Sequence, residues 1–306
     1  MNYKSNLQQT LDKGLFAVTA EIGPPKGSDP DKITRKAGML KGYAHAFNIT
    51  DNQTAVVRMS SMAGCCLLLK EKMEPIMQMT CRDRNRIALQ SDVLGASAVG
   101  IKNMLFLTGD HQSFGNHPGA KGVFDIDSMQ LIQMVKNMRD EGIFQNGDEI
   151  LARNPDVFIG AAANPFADPF KLRVDRLRKK IVAGADFIQT QSVYNLDRFN
   201  VWMDDICSDG LDKKVHILAG VTPLKSLRMT ERMKFHVPGV NIPDEIYDRM
   251  KNAANPKDEG YEISIELINE IKKIKGVHGI HITALFWEDI VPVLVKETGI
   301  YPRPPF

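Results

Sequence analysis

Cysteine is scarce in this chain and poorly placed for chemistry. Cys65, Cys66, Cys81 and Cys207 form no C-x-x-C pair and have no histidine at ligand spacing beside them. That argues against a metal or cluster site built by this chain alone and for reduced, structural thiols. No apolar run approaches the roughly 18 residues of a membrane span. The opening MNYKSNLQQT lacks the apolar core of a signal peptide, so a cytoplasmic protein is expected. A dominant charge is missing too: the formal net charge is +2, with Lys and Arg scattered rather than striped, and nothing asks for a nucleic-acid partner. No G-x-G-x-x-G opens a helix and no G-x-x-x-x-G-K-[ST] occurs, which removes the main support for dinucleotide-fold and P-loop readings. Finally, no Pro/Gly/Ser-rich linker divides the chain, so residues 1–306 are expected to form one domain.

What is present is a repeating unit. With 43% apolar residues over 306 positions, the chain can bury a large core. Short apolar strands are expected at 16–22, 45–50, 75–80, 104–108, 156–163, 186–191, 215–221 and 279–285. Helical stretches separate them. Asp29-Pro30 supplies a capping carboxylate and a proline at the start of a helix over 31–40. Further helices are expected at 85–94, 128–139 and 170–182, the last with Leu172, Leu177 and Ile181 on one face. Gly95-Ala96, Gly184-Ala185 and Gly276-Val277 are read as helix-to-strand joints, where glycine can take a positive φ. Eight strands alternating with helices point to a (β/α)8 TIM barrel, preferred here to an open doubly wound sheet. The longest irregular stretches are expected at 110–127 and 237–260.

A barrel keeps its chemistry at the carboxyl ends of its strands. The first strand delivers Glu21 and then stops, because Pro24 and Pro25 cannot donate to a ladder. Around the same rim fall Thr50, Asp51, Gln78, Thr80, Thr108, Gly109, Asp110, Asn164, Gln189, Gln191, Gly220, Thr222, Trp287 and Glu288. The rim holds no ordered nucleophile and base, no strand-tip lysine and no histidine cluster, so acyl transfer, Schiff-base chemistry and metal hydrolysis have little support. Carboxylates, amides and hydroxyls on separate strands suit a flat heteroaromatic ligand held by hydrogen bonds. Taken alone, Gly109-Asp110 is an ordinary turn dipeptide, Lys179 and Lys180 a solvated helix face, and the fifteen methionines core filler.

Several rim segments together resemble the methylenetetrahydrofolate reductase family. They are Ala20-Glu21-Ile22-Gly23-Pro24-Pro25-Lys26, Asn48-Ile49-Thr50, Met79-Thr80-Cys81, Leu107-Thr108-Gly109-Asp110, and the run from Ala183 to Gln191, all in consistent order and spacing. The resemblance implies a flavin-dependent barrel that reduces 5,10-methylenetetrahydrofolate to 5-methyltetrahydrofolate in one-carbon metabolism and methionine biosynthesis. It implies that Glu21 is the general acid, protonating N10 and opening the imidazolidine ring to a 5-iminium cation. Asp110 becomes the carboxylate near flavin and pterin, and Gln191 a folate contact. Thr50, Gln78, Thr108, Gly109, Asp110, Asn164, Lys179 and Lys180 fall on positions that contact a non-covalent FMN or FAD.

The departures carry information of their own. Thr108 stands where a common bacterial form has arginine, and Lys179 and Lys180 are the expected replacements for that cation. Arg173 falls where an acidic sugar contact is expected, Met233 near the nicotinamide-stacking aromatic, Met229 near a glutamine, and Trp287 in place of an arginine. Two electron donors follow: NAD(P)H, or a cysteine-rich iron–sulfur partner subunit as in the anaerobic branch of the family. An oligomer is expected. Two alternatives stay open, a flavin-free pterin-binding barrel in methyltetrahydrofolate methyl transfer and a non-catalytic barrel subunit of a redox complex.

Overall fold

Residues of odd and even position along the strands go to different places, and that sorting defines the architecture. In a computed structural model, which describes residues 5–300, eight parallel strands form a closed barrel in sequence order. They are β1 (Ala17–Ile22), β2 (Ala46–Ile49), β3 (Pro75–Thr80), β4 (Asn103–Leu107), β5 (Phe158–Ala163), β6 (Phe187–Ser192), β7 (His216–Val221) and β8 (Gly279–Ile282). Val18, Ala20, Ile22, Phe47, Ile49, Met77, Met79, Met104, Phe106 and their equivalents pack outward into one continuous core beneath the helices. Ala17, Ala46, Ile76, Leu105, Phe158, Phe187 and Leu218 instead face inward and fill the lower barrel. Since side chains alternate faces along a strand, Glu21 shares the inward face with Ala17 and Thr19.

Eleven α-helices lie among the described residues: α1 (Asn6–Asp12), α2 (Asp31–Leu40), α3 (Ser61–Lys70), α4 (Arg86–Ala98), α5 (Ser128–Asp140), α6 (Leu172–Ala183), α7 (Leu196–Ser208), α8 (Leu227–His236), α9 (Asp244–Asn252), α10 (Pro256–Ile271) and α11 (Ile290–Glu297). The helix expected at 31–40 opens as the sequence indicates, with Asp29 Oδ1 accepting the Asp31 N–H at 2.9 Å. Helix α1 closes the lower mouth. Its Leu7 and Leu11 are buried against the inward layer, and the Glu74 carboxylate accepts from the Asn6 and Leu7 N–H groups at 2.6 and 2.9 Å, the favoured place for an anion.

Four expectations need correction. Gly95 lies inside α4, and the joint is Gly100, whose φ of +95° terminates the helix; a lone helical glycine costs too little to end a helix that packing supports. The stretch 237–260 is not irregular, since α9 and the start of α10 occupy much of it. Leu172 is 50% exposed, and the buried face of α6 is Val174, Leu177 and Ala183. The eighth strand stops at Ile282, because the Leu285 N–H turns back to the Thr283 carbonyl and Phe286 adopts a φ of +55°. Residues 1–4 and 301–306 of the expected 1–306 domain, with part of the leader reading, lie outside the described residues. Among the described residues, no helix is long and apolar enough to cross a membrane, and no group of three or more His, Cys, Asp or Glu could hold a metal ion.

Candidate active site at the carboxyl ends of the strands

Two cavities open at the upper mouth. The larger, about 400 Å³, spans β3 to β6 and is lined by Gln78, Leu105, Leu107, Thr108, Ser128, Ala162, Asn164, Arg173, Arg176, Lys180, Gln189, Gln191 and His281, among others. The smaller, about 50 Å³, holds Glu21, Gly23, Lys36, Gln53, Arg58 and residues 284–286 and 288. Larger grooves, such as the one of about 640 Å³ beside α3, lie away from the strand ends and bring few polar groups together.

Glu21 is the penultimate residue of β1 and is half-buried. Burial pushes its pKa up to about 7, with Lys36 and Arg58 pulling downward and Glu288 adding to the rise. The Lys36 ammonium contacts Glu288 Oε1, and Arg58 Nη1 donates to the Pro24 carbonyl at 2.9 Å. A strand-end carboxyl in this setting holds a proton near neutrality and can release it.

A strained turn joins Glu21 to the next carboxylate. Asn52, Thr54 and Ala55 have φ values of 44°, 55° and 55°, a conformation costly for residues with a Cβ and commonly found at functional sites. Thr50 Oγ1 donates to Gln53 Oε1 at 2.6 Å, which fixes a wall of the Glu21 cavity. The Thr54 N–H donates to Asp110 Oδ2 at 3.1 Å. Arg82 binds the two sides together, donating to the Asp110 and Asn52 carbonyls, each at 3.1 Å. Gly109 has a φ of +91°, and an added Cβ would meet Thr80 and Arg82 side chains at 3.1 and 3.2 Å. Asp110 itself is exposed and lines neither cavity.

The larger cavity is lined by both cations and amides. Arg173, Arg176 and Lys180 come from α6, and Ser128 from the first turn of α5. Burial, reinforced by the Arg176 charge, lowers the Lys180 pKa to about 8 against the pull of Asp127, and its ammonium donates to the Ala162 carbonyl. This set fits a phosphate-bearing ligand, and the amide groups of Gln78 and Gln191 fit the polar edge of a ring. At the floor, His281 bonds Thr19 Oγ1 at 2.9 Å, and burial depresses its pKa to about 3.

The structure therefore gathers Gln78, Thr108, Asn164, Lys180 and Gln191 around one cavity, and places Glu21 in another, walled by Thr50's partner Gln53. Lys179 is exposed and turned away from both. On α6 it follows Arg178, one step round from the row of Arg173, Arg176 and Lys180 at i, i+3, i+7. Trp287 is only 4% exposed and belongs to the core, with Lys257 Nζ 5.4 Å from its ring centre. Met233 is likewise buried, in the cluster of Tyr194, Leu224, Ile242 and Met250 beneath α8 and α9, with Met229 packed against it. Sequence reasoning missed Lys36, Arg58, Arg82, Arg176 and His281. The helical spacing of Arg176 from Lys180 was the one signal that could have found any of them.

The methylenetetrahydrofolate reductase family model matches residues 6–299. Methylenetetrahydrofolate reductase 2 of Schizosaccharomyces pombe is 27% identical over 316 residues, covering 96% of this chain and 47% of the yeast protein. The 5,10-methylenetetrahydrofolate reductase of Pectobacterium carotovorum is 22% identical over 313 residues, covering 98% of this chain and 97% of that protein. The chain thus spans about half the length of the fungal relative and nearly all of the bacterial one. An uncharacterized protein from Clostridium thermocellum, solved with two copies of 5-methyl-5,6,7,8-tetrahydrofolic acid, shares the fold with a TM-score of 0.70 at 16% identity, covering 97% of this chain and 100% of that one. The family match over almost the whole described chain settles its membership: this protein belongs to the methylenetetrahydrofolate reductase family.

Proposed function

We propose that the chain is a flavin-dependent reductase of 5,10-methylenetetrahydrofolate, with Glu21 as its general acid. The observation that carries this reading is the half-buried Glu21 carboxyl in the small strand-end cavity, whose pKa is pushed up to about 7 by burial. Such a group keeps a substantial share of its proton near neutral pH and is a competent donor to N10. Proton transfer to N10 breaks the five-membered ring and leaves a 5-iminium cation. Asp110 sits at the rim outside both cavities, its Oδ2 accepting the Thr54 N–H, so its charge favours that cation from a distance, and Gln191 supplies an amide to the pterin edge.

The cavity walls fit a flavin: Arg173, Arg176 and Lys180 would hold its phosphate, and Gln78, Thr108 and Asn164 its polar edge. When bound, reduced FMN or FAD supplies the hydride that converts the methylene carbon to methyl. The decisive experiment is Glu21→Gln. It is expected to leave flavin bound and reducible while abolishing folate reduction; full activity would remove Glu21 from the mechanism. A colourless wild-type protein that takes up neither FMN nor FAD but binds methyltetrahydrofolate would favour the methyl-transfer alternative.

For the electron donor, the burial of Met233 favours a reduced iron–sulfur partner subunit over NAD(P)H, because α8 presents no flat ring to the mouth at that position. Anaerobic turnover of the purified chain with NADH, NADPH or a reduced ferredoxin-type protein tests this. Folate-reducing oxidation of NADH by the chain alone would overturn it.

A further inference from the structure

We infer that Glu288, held by Lys36, is a positioning residue that keeps the Glu21 carboxyl in its protonated form. The inference rests on Glu21 acting as the acid described above. Three charged side chains face Glu21 in its cavity, and they arrive from three separate elements: Lys36 from α2, Arg58 from the loop ahead of α3, and Glu288 from the loop after β8. Gln53 is the uncharged polar neighbour.

Two cations facing a single carboxyl would fix it as a carboxylate, and a fixed carboxylate has no proton to give. The contacts show how that is avoided. The Lys36 ammonium is directed onto Glu288 Oε1, so part of its pull on Glu21 is offset by the carboxylate it is paired with. Arg58 is turned toward the main chain, with Nη1 on the Pro24 carbonyl and a buried Nε that has no hydrogen-bond partner among the described residues. Both members of the Lys36–Glu288 pair are sheltered, at 30% and 14% side-chain exposure, so solvent screens the pair less than it would on an open surface. Glu288 also acts on Glu21 directly, since like charge opposes ionisation. The loop that carries it is anchored just ahead of Glu288, by buried Trp287 and by Lys225 Nζ, which donates to the Phe286 carbonyl at 2.9 Å.

The test follows the Glu21 proton itself. Its protonated-carboxyl infrared band, identified by its absence in Glu21→Gln, is titrated in this chain alongside the pH profile of folate turnover. Glu288→Gln is expected to lower the half-titration pH of Glu21, and to move the upper limb of the activity profile down with it. Turnover above that limb falls about tenfold per unit. Adding Lys36→Met to Glu288→Gln is expected to bring both back toward wild type, which a merely structural defect would not do. If Glu288→Gln does not fold, Lys36→Met alone decides the matter, with an upward shift expected. An unmoved Glu21 titration in the folded variants overturns the inference even if activity falls. A titration that moves while wild type shows no folate turnover sinks the functional reading and leaves the positioning role intact.

Discussion

Asn48 and Gln189 clasp each other across the barrel interior: Asn48 Nδ2 donates to Gln189 Oε1 at 2.6 Å, and Gln189 Nε2 returns a bond to Asn48 Oδ1 at 3.1 Å. The strands involved, β2 and β6, are not neighbours. Gln189 Nε2 also reaches Thr19 Oγ1 at 3.1 Å, and Thr19 in turn meets His281. This polar layer separates the apolar plug around α1 from the site above. Asn48 is fully buried, so Gln189→Leu strands its amide. Urea unfolding is expected to show a loss of about 1–3 kcal/mol, the usual cost of an orphaned buried polar group.

That layer also shows what could be read in advance. The barrel was legible because each strand is a short apolar run punctuated by turn residues, and Glu21 stood out because two prolines end its strand. Gln189 was visible as a rim residue, but its pairing with Asn48, 141 positions away, is a product of closure. Lys36, Arg58 and Arg176 sit on helices or loops whose orientation is set by packing, so charge alone gave no reason to choose them over Lys179. Gly95 and Leu172 misled because local preference was weaker than the helix packing around them.

Glu21 is expected to cost stability at alkaline pH. Its native pKa of about 7 lies above the unfolded value of 4.5. The folded state therefore holds the extra proton between those values, and Glu21's contribution, full below about pH 4.5, is lost as pH rises through 7. Thermal unfolding of Glu21→Gln should match wild type near pH 5 and exceed it at pH 8. Equal differences at both values would mean that the carboxyl ionises in the folded chain as it does in the unfolded one.

His281 should have the opposite sign. Burial lowers its pKa from 6.5 to about 3, so the unfolded chain takes up a proton that the folded one refuses. Stability is then present above pH 6.5 and declines as the solution is acidified toward 3. His281→Asn is expected to lose less stability than wild type between pH 7 and pH 5 in denaturant titrations. Because Glu21 contributes equally to both proteins, it cancels in that comparison.

Gly160, on β5, is paired with Phe187 on the neighbouring strand β6, and the Phe187 ring lies over it. A Cβ added there would lie 2.3 Å from Phe187 Cζ, and Phe187 is itself stacked on Phe158 with ring centres 5.1 Å apart. The ring has little room to yield, so Gly160→Ala is expected to cost about 1–3 kcal/mol, the range for overpacking a filled core. The control is Gly38→Ala in α2, where an added Cβ meets nothing within 4 Å; it should be neutral or slightly stabilising, since alanine favours a helix.

Arg176 and Lys179 offer the sharpest comparison at the proposed phosphate site. Both are exposed and three positions apart on α6, so either can be truncated without disturbing the core. Only Arg176 lines the cavity, beside Lys180 and Arg173. If a flavin phosphate binds there, Arg176→Met removes a charge-assisted hydrogen bond worth about 1.5–3 kcal/mol, or about 10- to 150-fold in affinity. Lys179→Met should leave affinity within about twofold, the small effect of a screened charge at the surface. Fluorescence titration of the flavin-stripped protein with FMN at fixed ionic strength reads both. Equal losses would assign the effect to long-range charge, and loss at Lys179 alone would move the phosphate away from the cavity.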